Sequence, residues 1–245
     1  MGKVRIIALL LVFFVHVNVV LAIIKSDSLY IKPFSRRIST RVLLGIKEFS
    51  ISIGNGSKLI SSNPKVIYKP NNGVIGGIGI SYRNILISYY FKVPGTELSN
   101  QAYGNTSISD YQINLTNRFF YFSGFHRIYN GFYVSRPYES YPDWDKSLPY
   151  PQRQDIHLST MGFETIINLN PRRYSLNASL KLTEQQLRSA FSGLIYANYS
   201  FTSVSADSSL IPSHLRSLFF DGKELHQSNF SGWTVMPGIS YAYVS

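Results

Sequence analysis

Three side chains placed two residues apart, Asp155, His157 and Ser159, form the group in this sequence that could do chemistry. Alternate residues of a β-strand lie on the same face, so an acid, a base and a hydroxyl at this spacing share one surface. A base that takes the proton of a serine makes its hydroxyl a nucleophile, and an acid can orient that base. These three residues are therefore the candidate catalytic residues, acting as a proton relay along one strand.

Two further sets of polar residues could bind a metal, but neither has the spacing of a known site. Glu139, Asp143 and Asp145 share one loop, and oxygen-rich loops can hold calcium, yet their spacing is not that of an EF-hand. The remaining histidines also lack the spacing of zinc ligands: His126, His214 and His226. We predict solvated loop acids, no metal site and no cofactor.

The glycines between Gly73 and Gly79 resemble a phosphate-binding loop only in composition. Such loops follow a strand and open a helix, whereas here the chain continues from Ser81 into another strand. We predict instead that these glycines let strands curve and approach closely on the inner side of a sheet.

The stretch from Gly73 to Val93 predicts a β-hairpin, which is the unit of the fold. Apolar side chains occupy every second position of the first arm, up to Tyr82, with small or polar residues between them. The pattern resumes directly after Arg83 and Asn84, so a very tight turn must join the two arms. Each arm has about ten residues, the length of a tilted strand that crosses a bilayer.

The same unit recurs twice in the sequence. The second hairpin joins Ile108–Thr116 to the aromatic strand 119–134 through a turn at Asn117 and Arg118. The third joins 156–169 to 174–182 through a turn at 170–173. Short turns would then alternate with long loops, which is the asymmetry of outer-membrane barrels.

This arrangement also places the candidate catalytic residues. Their face continues into Met161 and Phe163, so it points outward near the outer rim of the sheet. Polar side chains are expected at a lipid headgroup boundary without any catalysis. Outer-membrane phospholipase also carries a His and a Ser two residues apart on a barrel strand, but the sequence around Ser159 does not match its motif.

The remaining segments complete the predicted topology. We expect one long strand over 40–53 with a bulge near Lys47, a strand start at 65–69 that continues into the first hairpin, a helical turn at 183–190, and strands at 191–204 and 233–244. The segment 208–220 has helical spacing of its apolar residues. If short turns and long loops alternate between the two ends of the sheet, however, this segment lies at the end with the short turns and should itself be short.

The strand count is about nine, whereas single-chain bacterial barrels have an even number. Either a strand has been missed, most plausibly at 65–69, or the barrel is incomplete at its C-terminus. We favour the incomplete barrel.

The N-terminus predicts export of the protein. Lys3 and Arg5 precede an apolar run, and Val20, Leu21 and Ala22 form a cleavage site of small residues. Because His16 and Asn18 interrupt the apolar run, we predict a cleaved signal peptide over residues 1–22 rather than a membrane anchor.

Composition narrows the class of protein further. The chain of 245 residues has no cysteine, so its fold needs no disulfide. Without residues 1–22 it carries 24 − 2 = 22 basic and 13 acidic residues, a formal charge of +9. The basic residues are scattered rather than clustered, which suits an anionic lipid surface and argues against a nucleic-acid partner.

Short segments of the sequence resemble a family of uncharacterised Bacteroidota outer-membrane barrel proteins, known as domain of unknown function 4421. The resemblance is carried by Tyr30-Ile31-Lys32-Pro33, Tyr68-Lys69-Pro70-Asn71, Gly77-Ile78-Gly79-Ile80-Ser81-Tyr82, Gly131-Phe132-Tyr133 and Asp207-Ser208-Ser209-Leu210-Ile211-Pro212. It covers most of the chain after the signal peptide and implies no catalytic residue. Members of the family extend beyond the position of Ser245, so the resemblance also implies further strands.

The sequence thus predicts an all-β fold, an antiparallel up-and-down transmembrane β-barrel. Residues 1–22 are the signal peptide, 23–40 a short N-terminal segment and 41–245 the barrel domain. The expected function is that of an outer-membrane protein with a structural, binding or transport role and with membrane lipid or lipopolysaccharide as its partner. The alternatives are a surface lipid hydrolase that uses His157 and Ser159, and a secreted β-sandwich that binds a ligand in solution.

Overall fold

The computed structural model describes residues 27–34, 38–54, 65–82, 84–141, 143–181, 183–219 and 224–244. The predicted signal peptide lies outside these residues. Twelve strands account for most of the described chain: β1 Ile31–Pro33, β2 Ile38–Ile46, β3 Ile51–Gly54, β4 Lys65–Lys69, β5 Val74–Tyr82, β6 Ile85–Lys92, β7 Ser107–Thr116, β8 Phe120–Val134, β9 Gln152–Asn168, β10 Glu184–Gln186, β11 Ala190–Ser205 and β12 Gln227–Ala242. The helices are short: α1 Asn100–Tyr103, α2 Pro137–Ser140, α3 Leu176–Leu180 and a 3-10 helix at Ser213–Leu218.

Eight strands form one continuous antiparallel sheet in the order β12-β11-β9-β8-β7-β6-β5-β2. Two small additions lie beside it, because β3 pairs with β4, β4 pairs with β8, and β1 pairs with β10. Strands β2 and β12 are the two edges, and within the described chain each pairs with one neighbour only. The all-β, antiparallel prediction is therefore confirmed.

The first two predicted hairpins are confirmed. In the first, β5 and β6 pair from Ile75 with Lys92 to Tyr82 with Ile85. In the second, β7 and β8 turn at Asn117, whose side-chain oxygen accepts hydrogen bonds from the backbone N–H groups of Phe119 (2.8 Å) and Phe120 (2.9 Å). An asparagine side chain that binds the backbone in this way stabilises a tight turn.

The third predicted hairpin is wrong. Residues 174–182 do not return along β9, and β11 takes that place, with Ile195 opposite Ile167. Residues 176–180 form α3 instead, and the Ser175 hydroxyl accepts a hydrogen bond from the N–H of Ala178 (2.9 Å) as the cap of this helix. The helical turn expected at 183–190 is also wrong, because β10 lies there and pairs with β1.

The absence of the third hairpin explains why the segment 208–220 need not be a short turn. The connection 169–189 now lies at the end of the sheet that carries the two tight turns, which we call the short-turn end. The connection 206–226 consequently lies at the opposite end, with the long connections 93–106 and 135–151, which we call the long-loop end. The helical spacing is confirmed in part, as the 3-10 helix over Ser213–Leu218.

The single long strand expected at 40–53 is wrong as well. Strand β2 ends at Ile46, and after a short irregular stretch β3 leaves the main sheet to pair with β4. Phe49 explains the departure, since its ring packs on Tyr129 (4.6 Å between ring centroids) and Phe132 (6.2 Å). Strand β4 is a separate element that contacts β8 through Tyr68 and Val134, rather than the start of β5. Strands β1, β3, β4 and β10 are additional to the nine expected and the strand expected at 174–182 is absent, so the described chain has twelve strands.

Apolar clusters fill the two ends of the inner face of the sheet. The larger cluster lies at the long-loop end, where β4 and residues 210–215 cover the strands: Val66, Tyr68, Ile75, Ile108, Tyr129, Phe132, Val134, Ile156, Leu158, Val204, Leu210, Ile211 and Leu215. The smaller cluster lies at the short-turn end and consists of Tyr174, Leu176 and Ala190. The residues between the two clusters are the site described next.

Candidate functional site

The outer face of the sheet carries a continuous set of exposed large apolar side chains, which we call the outer band. It comprises Val42, Ile78, Ile80, Ile85, Ile87, Tyr111, Ile113, Met161, Phe163, Ile167, Tyr199, Phe201, Trp233, Val235 and Ile239. Cross-strand pairing joins them into rows, such as Ile80–Ile87–Ile113. Their exposure is high even for surface residues, at 62% for Ile80 and 78% for Trp233. The predicted outward face of β9, with Met161 and Phe163, is thus confirmed.

The outer band ends sharply towards the long-loop end. The outward row beyond Tyr111, Met161 and Phe201 is polar apart from one isoleucine: Ser109, Ile128, Ser159, Ser203 and Asn229. The row after it, across the same five strands, is entirely polar: Ser107, Asn130, His157, Ser205 and Gln227. We call it the polar row. On β11 the band extends from Phe191 to Phe201, about 33 Å along a strand at about 3.3 Å per residue. A strand tilted by about 40° would make this about 25 Å in height, the thickness of the apolar band of an outer-membrane barrel.

The inner face between the apolar clusters is polar. Its centre is Asp110, whose side chain is fully buried. The carboxylate contacts Lys47 Nζ (2.5 Å), Arg127 Nε (3.3 Å) and Gln112 Nε2 (3.2 Å). A buried carboxylate is tolerated only with such partners, because loss of hydration is otherwise uncompensated. We call these four residues the Asp110 cluster.

Hydrogen bonds also connect the short-turn end to this polar interior. Lys181 donates through Nζ to the carbonyl oxygen of Asn84, and Arg41 donates to that of Leu180 (2.8 Å). Burial lowers the pKa of the Lys181 ammonium to about 8, and the positive charge of Arg41 acts in the same direction. These bonds attach the connection 169–189 to the first tight turn.

The inward glycines of β5 behave as predicted. Gly77 lies opposite Tyr90, and a Cβ atom on Gly77 would come within 2.4 Å of the tyrosine ring. Gly79 lies opposite Ser88, at 2.8 Å from its hydroxyl oxygen by the same measure. The absence of side chains here lets Tyr90 reach the interior, where the Lys47 ammonium lies 4.8 Å from its ring centroid.

The structure does not bring Asp155, His157 and Ser159 together. His157 Nδ1 is hydrogen-bonded to Asn130 Oδ1 on β8, and both belong to the polar row. Ser159 Oγ lies 2.9 Å from Nε2 of a different histidine, His126. The three candidates share a face, as the alternation predicts, but each has a separate partner.

Asp155 holds a connection in place. Its carboxylate oxygens accept hydrogen bonds from Arg153 Nε (2.8 Å) and from the hydroxyl of Ser208 (2.7 Å). Arg153 also donates to the carbonyl oxygen of Ser209 (2.9 Å). Tyr68 donates to the carbonyl oxygen of Leu210 (2.7 Å) in the same region. This network fixes Ser208, Ser209 and Leu210 beside the larger apolar cluster.

Two functional groups escaped the sequence analysis. His126 is one strand away from Ser159, and only cross-strand register can place two such residues together. The Asp110 cluster joins residues far apart in the chain, so no local spacing reveals it. Two of the three loop acids of the calcium hypothesis have local partners: Glu139 pairs with Arg136 (3.2 Å), and Asp145 accepts from the N–H of Ser147 (2.7 Å).

A family comparison agrees with the resemblance found in the sequence. The family model described as Domain of unknown function (DUF4421) matches residues 25–245. The chain belongs to this family. The DUF4421 match includes all twelve described strands, from β1 to β12. No curated protein and no solved structure matches the chain. Across the described residues, this DUF4421 chain has no helix that is long and apolar enough to cross a membrane.

Proposed function

We propose that this protein is an outer-membrane β-barrel protein, exported through a cleaved signal peptide over residues 1–22. The observation that supports the proposal is the outer band, bounded by the polar row and backed by a polar inner face. A water-soluble sheet buries its apolar face and exposes its polar face, whereas this arrangement is reversed over the middle of the sheet. The reversal favours a membrane over the secreted β-sandwich alternative.

Closure of the sheet is part of this proposal. Unpaired backbone groups are very costly in a hydrocarbon layer, so only closed sheets cross membranes as strands. The two edge strands β2 and β12 run in opposite directions, because seven successive antiparallel pairings separate them. They can therefore pair with each other and close an eight-stranded antiparallel barrel, which replaces the incomplete barrel expected from a count of nine strands. We propose that this closure occurs in the bilayer.

The interior favours a structural or binding role. The two apolar clusters and the Asp110 cluster occupy successive levels of the inner face. We propose anionic membrane lipid as the partner at the long-loop end, where exposed cations such as Lys65 and Arg136 suit the phosphate groups of lipopolysaccharide.

A charge placed in the outer band tests the proposal directly. Ile113, 48% exposed, lies in the middle of the band, and Ser109 lies four residues along the same outward face of β7 beside the polar row. In a membrane, Ile113→Lys costs about 2 to 4 kcal/mol at the bilayer midplane, and Ser109→Lys costs less. We expect Ile113→Lys to reduce the folded, membrane-bound fraction strongly.

The measurement is membrane fractionation followed by gel electrophoresis with and without heating, because folded barrels keep their compact form in detergent until heated. The wild-type protein and Ser109→Lys should sediment with membranes and migrate differently after heating. If the wild-type protein stays in the aqueous fraction with an unshifted band, or if Ile113→Lys is indistinguishable from Ser109→Lys, the membrane proposal fails.

One contact supports a second candidate function, hydrolysis of surface lipid. Ser159 Oγ and His126 Nε2 are 2.9 Å apart at the boundary of the outer band, where an ester bond of a phospholipid would lie. A histidine at this distance can take the serine proton. We expect Ser159→Ala to abolish any phospholipase activity of the purified protein, and the candidate function is discarded if the native protein shows none.

A further inference from the structure

A cavity of about 460 Å³ opens at the long-loop end between α1 and the segment 137–150. Its volume lies in the range of small-ligand sites. Its walls combine aromatic rings with a few polar groups, chiefly Tyr103, Tyr138, Trp144, Tyr150, Gln101 and Lys146. None of these residues belongs to the outer band, the Asp110 cluster or the Ser159 contact.

The aromatic wall is a packed assembly. Tyr103 and Tyr150 are stacked, with ring centroids 4.5 Å apart and planes 23° from parallel. Trp144 packs against Tyr150 at 5.2 Å. The buried ring of Tyr133 supports Tyr103 edge-on at 5.0 Å. Rings held by one another in this way lose little freedom when a ligand binds.

Hydrogen bonds join the two segments that form the cavity. The N–H of Tyr150 donates to the carbonyl oxygen of Ala102 (2.9 Å), and Gln152 donates through Nε2 to that of Gln101 (2.8 Å). The Trp144 indole N–H donates to the carbonyl oxygen of Pro149 (3.1 Å), which leaves the ring faces as its contact surface. The cavity is thus built before any ligand arrives.

The charge of the wall indicates the ligand. Lys146 lines the cavity, and no aspartate or glutamate is found among the described residues that line it. An aromatic face attracts polarised C–H groups because its π-electron density is negative. A pyranose ring presents such C–H groups on one face and hydroxyls at its edge, and a carboxylate on the ring would pair with the ammonium.

We propose that this cavity binds an acidic glycan, a chain of pyranose units that carry carboxylates. The rings of Tyr150 and Trp144 stack on the sugar, Lys146 binds its carboxylate, and Gln101 hydrogen-bonds to its hydroxyls. The site is independent of membrane insertion, since it needs only the connections at the long-loop end.

Tryptophan fluorescence provides the test, because the chain has two tryptophans and Trp144 lines the cavity. In a Trp233→Phe background, Trp144 is the only tryptophan, so the tryptophan emission reports on the cavity alone. Titration of the full-length protein in detergent with trigalacturonic acid should change its emission in a saturable way. The methyl-ester form of the same trisaccharide should bind about tenfold more weakly, as expected for the loss of one hydrogen bond between charged groups.

Two variants, each with a matched control, test the roles of Lys146 and Tyr138 in binding the sugar. Lys146→Met should weaken binding of the acid about tenfold and leave the ester unchanged, whereas Lys32→Met, an exposed lysine of β1 outside the cavity, should change neither. Tyr138 is 63% exposed, so Tyr138→Ala can remove a wall of the cavity without disturbing the packing beneath. It should weaken both sugars, and Tyr243→Ala, at 76% exposure and outside the cavity, should weaken neither.

Three results would overturn the proposal. The first is an emission of Trp144 that does not respond to either sugar. The second is equal binding of the acid by Lys146→Met and the parent protein. The third is binding of a proline-rich peptide, another ligand of aromatic grooves, without binding of sugar. Because heat-shifted migration is measured on the same samples, failure of the glycan site is distinguishable from failure of the membrane proposal.

Discussion

At the scale of single residues, Asp110 is the side chain on which the polar interior depends most. Its carboxylate accepts hydrogen bonds from Lys47 and Gln112 and lies 3.3 Å from Arg127 Nε, and its own side chain has no exposed surface. The cations are about one-third exposed, at 36% for Lys47 and 34% for Arg127. Removal of the carboxylate charge would therefore leave two partly buried cations without a counter-charge.

We expect Asp110→Asn to lower the free energy of unfolding by about 2 to 3 kcal/mol, less than the cost of breaking a fully buried pair because the cations retain some water. Denaturant titration of the detergent-refolded protein measures this change. Asp143→Asn, in an exposed loop, serves as the control and should have no effect. Equal stability of the two variants would show that the Asp110 cluster does not support the fold.

Lys181 makes stability depend on pH. Its folded-state pKa of about 8 lies below the ordinary value of 10.5, so the folded protein holds the ammonium at a cost below pH 8. Between pH 8 and pH 10.5 the unfolded chain binds more protons than the folded one, and stability rises with pH. Above pH 10.5 both states hold a neutral Lys181 amine, and the cost of burying the charge is absent.

The temperature at which the heat-shifted gel form disappears should therefore rise between pH 7 and pH 10. The rise in this temperature should be smaller in Lys181→Met, which has no charge at this position. In Lys65→Met it should equal the rise of the wild-type protein. An identical rise in the wild-type protein and Lys181→Met would contradict the assignment.

At the scale of elements, strands β5 and β6 pack closely because Gly77 lies opposite Tyr90. Gly77→Ala places a methyl group against the Tyr90 ring, which must move away from Lys47. Overpacking of this kind costs about 1 to 3 kcal/mol. We expect this loss of unfolding free energy in denaturant titration, and a smaller loss when Gly77→Ala is made in a Tyr90→Leu background.

Gly232→Ala is the matched control for this prediction, since a Cβ atom there meets nothing within 4 Å. It should leave stability nearly unchanged. If both glycine variants behave alike, backbone flexibility rather than packing explains the requirement for glycine in β5.

At the scale of the whole molecule, closure of the sheet is the property that a membrane would demand. The chain contains no cysteine, so engineered cysteine pairs report on it without background. We expect Val42→Cys on β2 to form an intramolecular disulfide with at least one cysteine placed on β12 at Trp233, Val235 or Ile239, in membranes but not in denaturant. A cysteine at Phe163, on β9 and separated from β12 by β11, should form none.

Disulfides between two copies of the chain, without any within one copy, would contradict closure and show that the edges pair between molecules. The crosslink is read on a non-reducing gel, where an internal disulfide and a dimer migrate differently. The measurement thus distinguishes pairing of β2 with β12 within one chain from pairing of edge strands between two chains.

Much of the fold was predictable from the sequence because the alternation of side chains is a local property. The hairpins β5–β6 and β7–β8, the outward face of β9, and the inward glycines all follow from a period of two. Helical spacing likewise indicated the turn of helix near Ser213. No partner distant in the chain is needed for any of these features.

The tertiary structure decided which segments pair. Leu176, Ala178 and Leu180 alternate like a strand, but burial of Tyr174 and Leu176 against Ala190 and the Ser175 cap make the segment helical. Packing of distant segments also selected β4 as the partner of β8, His126 as the neighbour of Ser159, and Lys47 and Arg127 as the partners of Asp110. Alternation determines which way a side chain points, whereas its neighbour depends on contacts between residues far apart in the chain.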